Sequence, residues 1–560
     1  MDARLQRFNP YLVALLLIIT IFVVDPASLY SLLLKSNDFS YFNNDSRQQI
    51  FPFLHYWNDG LIDNDYIANY YLTAILPRIY SMLMITVSHF IDPRLASGLL
   101  ANILYSLTCF LVLRCSYHLS GWIGVWGSTI IFLSSSVFPE MISGGIPRSF
   151  GFPIVSLAAL GLITGKVRYI IAATIIGSMF YYVSAAISGL ILLIYLLLIP
   201  SAWRVTGATW NFLSRISTVV ITGLICLVPF VWSFQSSEHF GSIVTSTEFT
   251  LFPEAGPDGR YYPETENLFL AIARWILITF KGDAPLFPVM QRLAITNIWI
   301  LVLIIIVAIA PFLVRLLKDH HLKRLMILPC VAILFYILSD LVRPYLYFPL
   351  RYMIYTLPIV TVIAFPTLLL RSVGFYLNRR NLSNLPTQHI LIVLCLTCAL
   401  VLGGRSSRVG LIKVPDSDQP LYEFISDLPK DTMIAGWPTG IIENIPYVSS
   451  RSALLNRETH QAFHKSYILN TRLRMLAIID SYTDPRPTAL LALRDRYNVT
   501  HFIVENKFLD KNNLKYHKPF NIYTNARLSD TSAIPFIGTL LGDSIIFSMH
   551  GIKIIDLTNL

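Results

Sequence analysis

The chain has 560 residues, 54% hydrophobic and only 14% charged, with a mean hydropathy of +0.58, whereas soluble domains carry about a quarter charged residues. That composition reads as a polytopic membrane protein and excludes a soluble enzyme, a disordered chain and a disulfide-stapled secreted module. The formal charge of +10 does not point to nucleic acid, because most basic residues stand in short loops beside apolar runs, where they set topology.

In chain order, apolar runs long enough to cross a bilayer are predicted at 10–33, 95–117, 121–138, 149–165, 168–184, 185–200, 216–234, 295–315, 326–341, 352–370 and 389–404, about eleven spans. The run 11–24 resembles a signal-peptide core, but no small-residue cleavage site follows it, so it reads as a retained anchor. With the N-terminus cytoplasmic, alternate loops fall inside and each is basic. They carry Arg4 and Arg7, Lys166 and Arg168, Arg204 and Arg215, Arg315 with Lys318, Lys323 and Arg324, and Arg371 with Arg379 and Arg380. An odd number of spans then places the tail outside, the expected topology of an integral protein of the plasma (inner) membrane. The opposite face carries acids: Asp38, Asp45, Asp59, Asp63 and Asp65 in the first outer loop, and Glu238, Glu248, Glu254, Asp258, Glu264 and Glu266 in the loop 235–294. Segments 73–91 and 267–281 are expected to lie as amphipathic helices on the outer interface.

From about 411 the composition changes. Helix-patterned stretches (DQPLYEFISDL, HQAFHKSYILNTRLRMLAIIDSY, PTALLALRDRY) alternate with short β-rich runs (TMIAGW, THFIVE, SIIFSM, IKIIDL). The expected architecture is a polytopic α-helical membrane domain, 1–410, with outer loops 34–93, 139–148 and 235–294, followed by an extracytoplasmic α/β domain, 411–560. All 6 cysteines lie in or beside apolar runs and read as small hydrophobes. Cys395 and Cys398 form a CxxC inside ILIVLCLTCALVL, without the polar surroundings of a redox or zinc site. No internal repeat and no Walker, GxSxG or HExxH pattern is present.

Chemistry-bearing residues gather on the acidic face. Asp45 follows the first span and precedes the helical segment Gln48 to Trp57. A carboxylate there can serve as general base toward an acceptor hydroxyl while a leaving group stays anchored in lipid; the plainer role is a helix N-cap. Asp63 and Asp65 in DND are weak candidates for a divalent cation, because the pair supplies too few oxygen ligands. Arg148 sits on the outer side, against the positive-inside bias, where its planar fork suits a phosphate, or simply lipid headgroups. Gly144 and Gly145 before it permit close backbone approach. Arg351, with Arg343 nearby, repeats the situation at a later outer rim. His460 and His464 have the i, i+4 spacing of a two-histidine metal face on a helix, but no third ligand accompanies them. Asn498 in NVT is formally a glycosylation sequon.

This arrangement resembles the GT-C superfamily of polyprenyl-phosphate-dependent membrane glycosyltransferases, which includes the oligosaccharyltransferase catalytic subunits. The resemblance covers roughly residues 1–410 in layout. The family's first-loop catalytic carboxylate falls on Asp45, its interfacial segment resembles LPRIYSMLMITVSHF, and its Arg-Ser second-loop pattern resembles Pro147-Arg148-Ser149. Glu248 in TSTEF is loosely similar to a family loop acid. The oligosaccharyltransferases carry an acidic pair after the Arg-Ser, whereas this chain continues FGFPIV. That departure favours the metal-independent branches of the family, with no cofactor required and a divalent cation open but not favoured. The resemblance implies inverting displacement at a sugar anomeric carbon, with Asp45 deprotonating or orienting the acceptor hydroxyl and Arg148 and Arg351 stabilising the departing lipid phosphate. Arg47 and Asp65 complete the substrate-binding set by shaping the site. The implied partners are a lipid-linked sugar donor, membrane lipid, and a glycan, lipid or protein acceptor. With no sequon-reading motif in the tail, protein N-glycosylation is not implied.

Two rival readings remain open on the sequence. A transporter or flippase would place ionisable groups near mid-membrane, where each costs about 3 kcal/mol on insertion scales, and the predicted spans are almost free of them. A GT-C-like body without catalysis would serve as a scaffold or receptor through its tail.

Overall fold

In the computed structural model the described residues are 39–63, 65–198, 212–233, 239–261, 268–279, 319–341, 349–379, 410–530, 535–539, 544–558 and 560. The predicted spans 10–33, 295–315 and 389–404, with Cys395, Cys398 and Arg343, lie outside them.

The longest helical stretch, Pro93–Ser134, opens under the Asp92 side chain, which accepts from the Arg94 N–H, and has proline in its first turn, where the missing N–H is harmless. It is a hairpin. Ser120 (φ −147°) and Gly121 (φ +65°, ψ −152°) leave the helical region. The Ser116 and Ser128 hydroxyls sit 2.7 Å apart, although twelve residues of straight helix would separate them by about 18 Å. Both predicted runs, 95–117 and 121–138, are thus accounted for. Gly151–Thr164, Val167–Phe180 and Tyr182–Leu193 follow, the last continuing as Ile194–Leu198. The break between the second and third of these falls at Tyr181, in extended conformation, and not at 184–185 as predicted. An all-apolar run carries no periodic signal for the break. It is set instead by packing: a Cβ on Gly177 would lie 2.7 Å from the Ala185 amide nitrogen, so only glycine lets the two helices close on each other there.

Helix Leu350–Arg379 lies against the Pro93–Ser134 hairpin. The Ser128 hydroxyl donates to the Val362 carbonyl at 2.8 Å, and Ser120 and Thr367 share a 2.8 Å hydrogen bond. Ile327–Leu341 joins it through the stacked Phe335 and Tyr352 rings, 4.9 Å apart. Among the described residues five helical stretches are long and apolar enough to cross a membrane: Pro93–Ser134, Pro147–Thr164, Phe212–Trp232, His320–Ser339 and Leu350–Leu369. Phe212–Trp232 exposes most of its apolar surface, as a lipid-facing helix must. Arg78–Ser88 and Leu268–Thr279 have 11 and 12 residues. At 1.5 Å per residue that is about 17 Å, too short for a 30 Å hydrocarbon core.

Residues beyond 410 build a mixed sheet. Strands β1 (Tyr41–Phe42) and β2 (Ile412–Lys413) pair antiparallel, with Tyr41 opposite Lys413 and Phe42 opposite Ile412. The main sheet holds β3 (Met433–Gly436), β4 (Ser452–Ala453), β5 (His501–Glu505), β6 (Ile545–Met549) and β7 (Ile552–Asp556), in the order β4-β3-β5-β7-β6. β3 runs parallel to β4 and β5, and β7 runs antiparallel to β5 and β6. Trp437, Tyr482, Phe502, Val504 and Ile555 fill a core of its own.

One expectation is corrected here. His460 and His464 do not share a helix, because the helix is Lys465–Thr483 and both precede it. The preceding stretch is held extended by another partner. The Val244 N–H donates to the Phe463 carbonyl at 2.9 Å and the Lys465 N–H to the Ser242 carbonyl at 3.0 Å. Backbone groups paired with a neighbouring loop are not available for a helical turn.

Candidate active site

The site is assembled at the end of the helical bundle that carries the α/β unit. The first loop turns at Asn43, whose carbonyl accepts from the Ser46 N–H (3.0 Å) and whose side-chain oxygen accepts from the Asp45 N–H (3.0 Å). Asp45 then stands at the N-cap of the single-turn helix Ser46–Gln49, yet its side chain makes no cap hydrogen bond. The carboxylate lies 2.6 Å from Arg148 Nη1, with about a quarter of the Asp45 side chain open to solvent (26%). Arg148 Nη2 donates to Asn43 Oδ1 at 3.0 Å, so one guanidinium spans both residues of the turn.

Arg148 belongs to the short 3-10 segment Pro147–Phe150, which leads into Gly151–Thr164. The two preceding glycines bring it there. Gly144 has φ +86°, and a Cβ on it would lie 2.8 Å from the Asn43 Cβ; Gly145 has φ +53°, and a Cβ would lie 2.0 Å from the Ser97 carbonyl oxygen. Only glycine combines that conformation with that proximity. The Tyr80 hydroxyl, from Arg78–Ser88, donates to the Gly145 carbonyl at 3.1 Å. Asn43 Nδ2 donates to Ser143 Oγ (2.8 Å) and to the Gly410 carbonyl (3.0 Å). First loop, second loop and the entry to the α/β unit therefore meet on Asn43.

Arg351 lies in the first turn of Leu350–Arg379. The ring of Tyr355, one turn later, closes on Gly151, where a Cβ would approach to 2.5 Å. Arg47, 9% exposed, points to the α/β unit: Nη1 donates to Asn444 Oδ1 at 2.6 Å and Nη2 lies 3.2 Å from Glu443 Oε2. Burial raises the Glu443 carboxyl above its usual range, with Arg47 pulling the other way.

Asp65 is buried and caps Tyr66–Tyr70, accepting from the Ile67 and Ala68 N–H groups at 2.8 Å each. Burial raises its carboxyl, against those hydrogen bonds and the Arg474 charge. Asp63 is exposed and stands 3.6 Å from His55, so the DND pair divides between a cap and a surface contact. Among the described residues no three His, Cys, Asp or Glu side chains converge as a metal site. Glu248 closes a capping box with Thr245, the N-cap of Ser246–Thr250, and lies 2.5 Å from Lys465, whose hydrogen bond takes the lead in bringing its carboxyl down to about 2.

The sequence reading did not single out Asn43, Ser143 or Tyr355. It also missed the seam where loop 239–261 meets the α/β unit. There the fully buried Glu254 takes a two-pronged Arg472 contact (2.8 and 2.6 Å) and lies 3.7 Å from His460, and Arg260 lies 3.1 Å from Glu458. The signal available was an acid-rich loop, with Arg472, the partner of Glu254, 218 positions away in the chain.

No protein-family model and no curated protein sequence matches this chain. Solved structures do. ArnT from Cupriavidus metallidurans bound to undecaprenyl phosphate aligns at 10% identity over 97% of this chain and 97% of that chain, with a TM-score of 0.52. The Archaeoglobus fulgidus oligosaccharyltransferase in complex with Zn and sulfate aligns at 12% identity over 88% of this chain and 68% of that chain, with a TM-score of 0.49. The match to ArnT runs through nearly the whole of both chains, and on it the protein shares the overall fold of that structure.

Proposed function

We propose that the protein is a membrane glycosyltransferase that moves a sugar from a polyprenyl-phosphate carrier to an extracytoplasmic glycan, lipid or protein acceptor, with inversion at the anomeric carbon. The observation that carries this reading is the Asp45–Arg148 contact at 2.6 Å, a base and a phosphate-type cation held in one place on a fold whose ArnT neighbour was solved with undecaprenyl phosphate. Residues 1–410 are the membrane domain, with a cytoplasmic N-terminus, and residues 411–560 lie outside the plasma membrane as an α/β domain.

In the reaction the acceptor hydroxyl loses its proton to the Asp45 carboxylate as its oxygen bonds to the anomeric carbon. The bond from that carbon to the phosphate oxygen breaks, and the electron pair leaves with the lipid phosphate. Arg148 and Arg351 take up the charge that develops on it. Arg148 pairs with Asp45; an arriving phosphate competes for the same guanidinium and frees the carboxylate to accept a proton. Donor binding thereby arms the base. Asp65 shapes the site by ordering the next helix of the loop. The chemistry asks for no metal, since two guanidiniums serve the leaving phosphate.

The test is transfer by the purified, reconstituted protein from labelled polyprenyl-phosphate sugars to cell-envelope glycans, lipids or peptides. Asp45→Asn is expected to reduce transfer by about 100-fold or more, with insertion and abundance unchanged. A fully active Asp45→Asn variant overturns the assignment.

A further inference from the structure

Arg47 is two residues from Asp45 but faces away from it, onto the α/β unit. Arg47 lies in Ser46–Gln49, a turn that lacks a side-chain cap and continues through the 3-10 segment Phe51–Phe53 into Leu54–Trp57. At its uncapped start the segment is held from outside by residues 410–458. Asn43 donates to the Gly410 carbonyl. Gln48 Nε2 lies 3.5 Å from Glu458 Oε2 and its carbonyl oxygen accepts from the Tyr71 hydroxyl at 2.8 Å. Arg47 forks across Asn444 and Glu443.

Both partners of the fork are themselves anchored. Glu443 Oε2 accepts from the Gly440 N–H at 3.3 Å and so caps Ile441–Val448. Asn444 Nδ2 donates to the Tyr422 hydroxyl at 3.0 Å. Two adjacent side chains on one helix thus grip both ends of one planar guanidinium, a geometry that fixes direction as well as distance.

We propose that Arg47 and Glu443 form a positioning pair through which the α/β unit sets the aim of the Asp45 carboxylate. The inference rests on the glycosyl-transfer reading for its catalytic consequence, and gives the α/β unit a part in the reaction without contact with donor or acceptor. Arg47 acts through Asp45 and does not bind the lipid phosphate.

The experiment compares Arg47→Met, Glu443→Gln and the double variant with Arg148→Met in the reconstituted full chain. Each single change is expected to lower kcat by about 10- to 100-fold with the donor KM unchanged. The double variant is expected to be no worse than the poorer single one, because the two side chains act as one unit. Binding of undecaprenyl phosphate is expected to weaken in Arg148→Met alone. A donor KM or undecaprenyl phosphate affinity that worsens in Arg47→Met but not in Glu443→Gln, or effects that simply add, overturns the proposal. Amide hydrogen exchange over residues 45–49 is read on the same proteins. It is expected to speed up in Glu443→Gln while exchange in β3 and β5 stays as it was, and an unchanged rate at 45–49 likewise overturns the clamp. This exchange measurement judges the clamp even if the wild-type chain transfers no sugar, the result that would remove the glycosyl-transfer reading instead.

Discussion

Arg148 contacts Asp45 and Asn43 at once, through Nη1 at 2.6 Å and Nη2 at 3.0 Å. A guanidinium bridging two residues of one turn fixes the turn and the cation together. Lysine carries the same charge on a single nitrogen and cannot span both. Arg148→Lys is therefore expected to bind undecaprenyl phosphate more weakly and to lower kcat by about 10- to 1,000-fold, the range seen when a donor to developing negative charge is lost. Steady-state kinetics with varied donor concentration checks this. A variant with wild-type kcat and KM would show that a point charge is enough.

Gly145 and Gly121 both have positive φ, but only one is crowded. Beside Gly145 a Cβ would meet the Ser97 carbonyl oxygen at 2.0 Å, whereas beside Gly121 nothing lies within 4 Å. Gly121→Ala is expected to cost about 1–3 kcal/mol, the penalty of a positive-φ, extended-ψ conformation that is essentially glycine's own. Gly145→Ala adds a backbone clash that no rotamer relieves and is expected to cost roughly 3 kcal/mol or more. Thermal unfolding in detergent measures the order of the two, and the Gly145 variant should also lose donor binding, because Arg148 follows three residues later.

Glu254 is wholly buried and relies on Arg472 at 2.6 and 2.8 Å. Burial pushes its carboxyl up, but the neighbouring His460 and the two Arg472 hydrogen bonds outweigh that and hold it at about 2. Removing one partner of such a pair leaves a buried charge uncompensated, at about 3–5 kcal/mol. Arg472→Met is expected to release loop 239–261 from the α/β unit, seen as new protease cleavage within the loop. The paired change Glu254→Leu with Arg472→Met should recover much of the loss, since it leaves no charge behind.

The same seam is expected to be acid-sensitive. Burial lowers the affinity of His460, His464 and His517 for protons, His517 to about 3, with His460 also disfavouring the charge on His517. Their folded values lie below the ordinary imidazole value of about 6.5, so the unfolded chain binds more protons as pH falls. The stability these groups contribute is complete above about 6.5 and is lost progressively toward about 3. Unfolding temperature is expected to drop between pH 7.5 and 5, and His517→Gln should flatten that slope.

Much of the architecture was legible in the sequence. A hydrophobic run announces a helix by composition alone, which is why 216–234 and 352–370 correspond to Phe212–Ser233 and Leu350–Arg379. The count of about eleven spans rests on the sequence, since three predicted runs lie outside the described residues. The division at 184–185 failed because composition does not say where a continuous apolar run bends. The histidine pair failed because periodicity assumes that the backbone bonds to itself, and residues 460–464 bond to loop 239–261.

What the sequence determined by itself was the solvent: enough apolar length to live in lipid, with acids concentrated in two of the connecting loops. Those are sums over local residues, and no folding is needed to add them. Tertiary structure decided which acid meets which arginine. Asp45 took Arg148, and Arg47 took Glu443, 396 positions away in the chain. Charge identity is written in each residue, but attraction acts over a few ångströms, and only the fold sets which charges come that close.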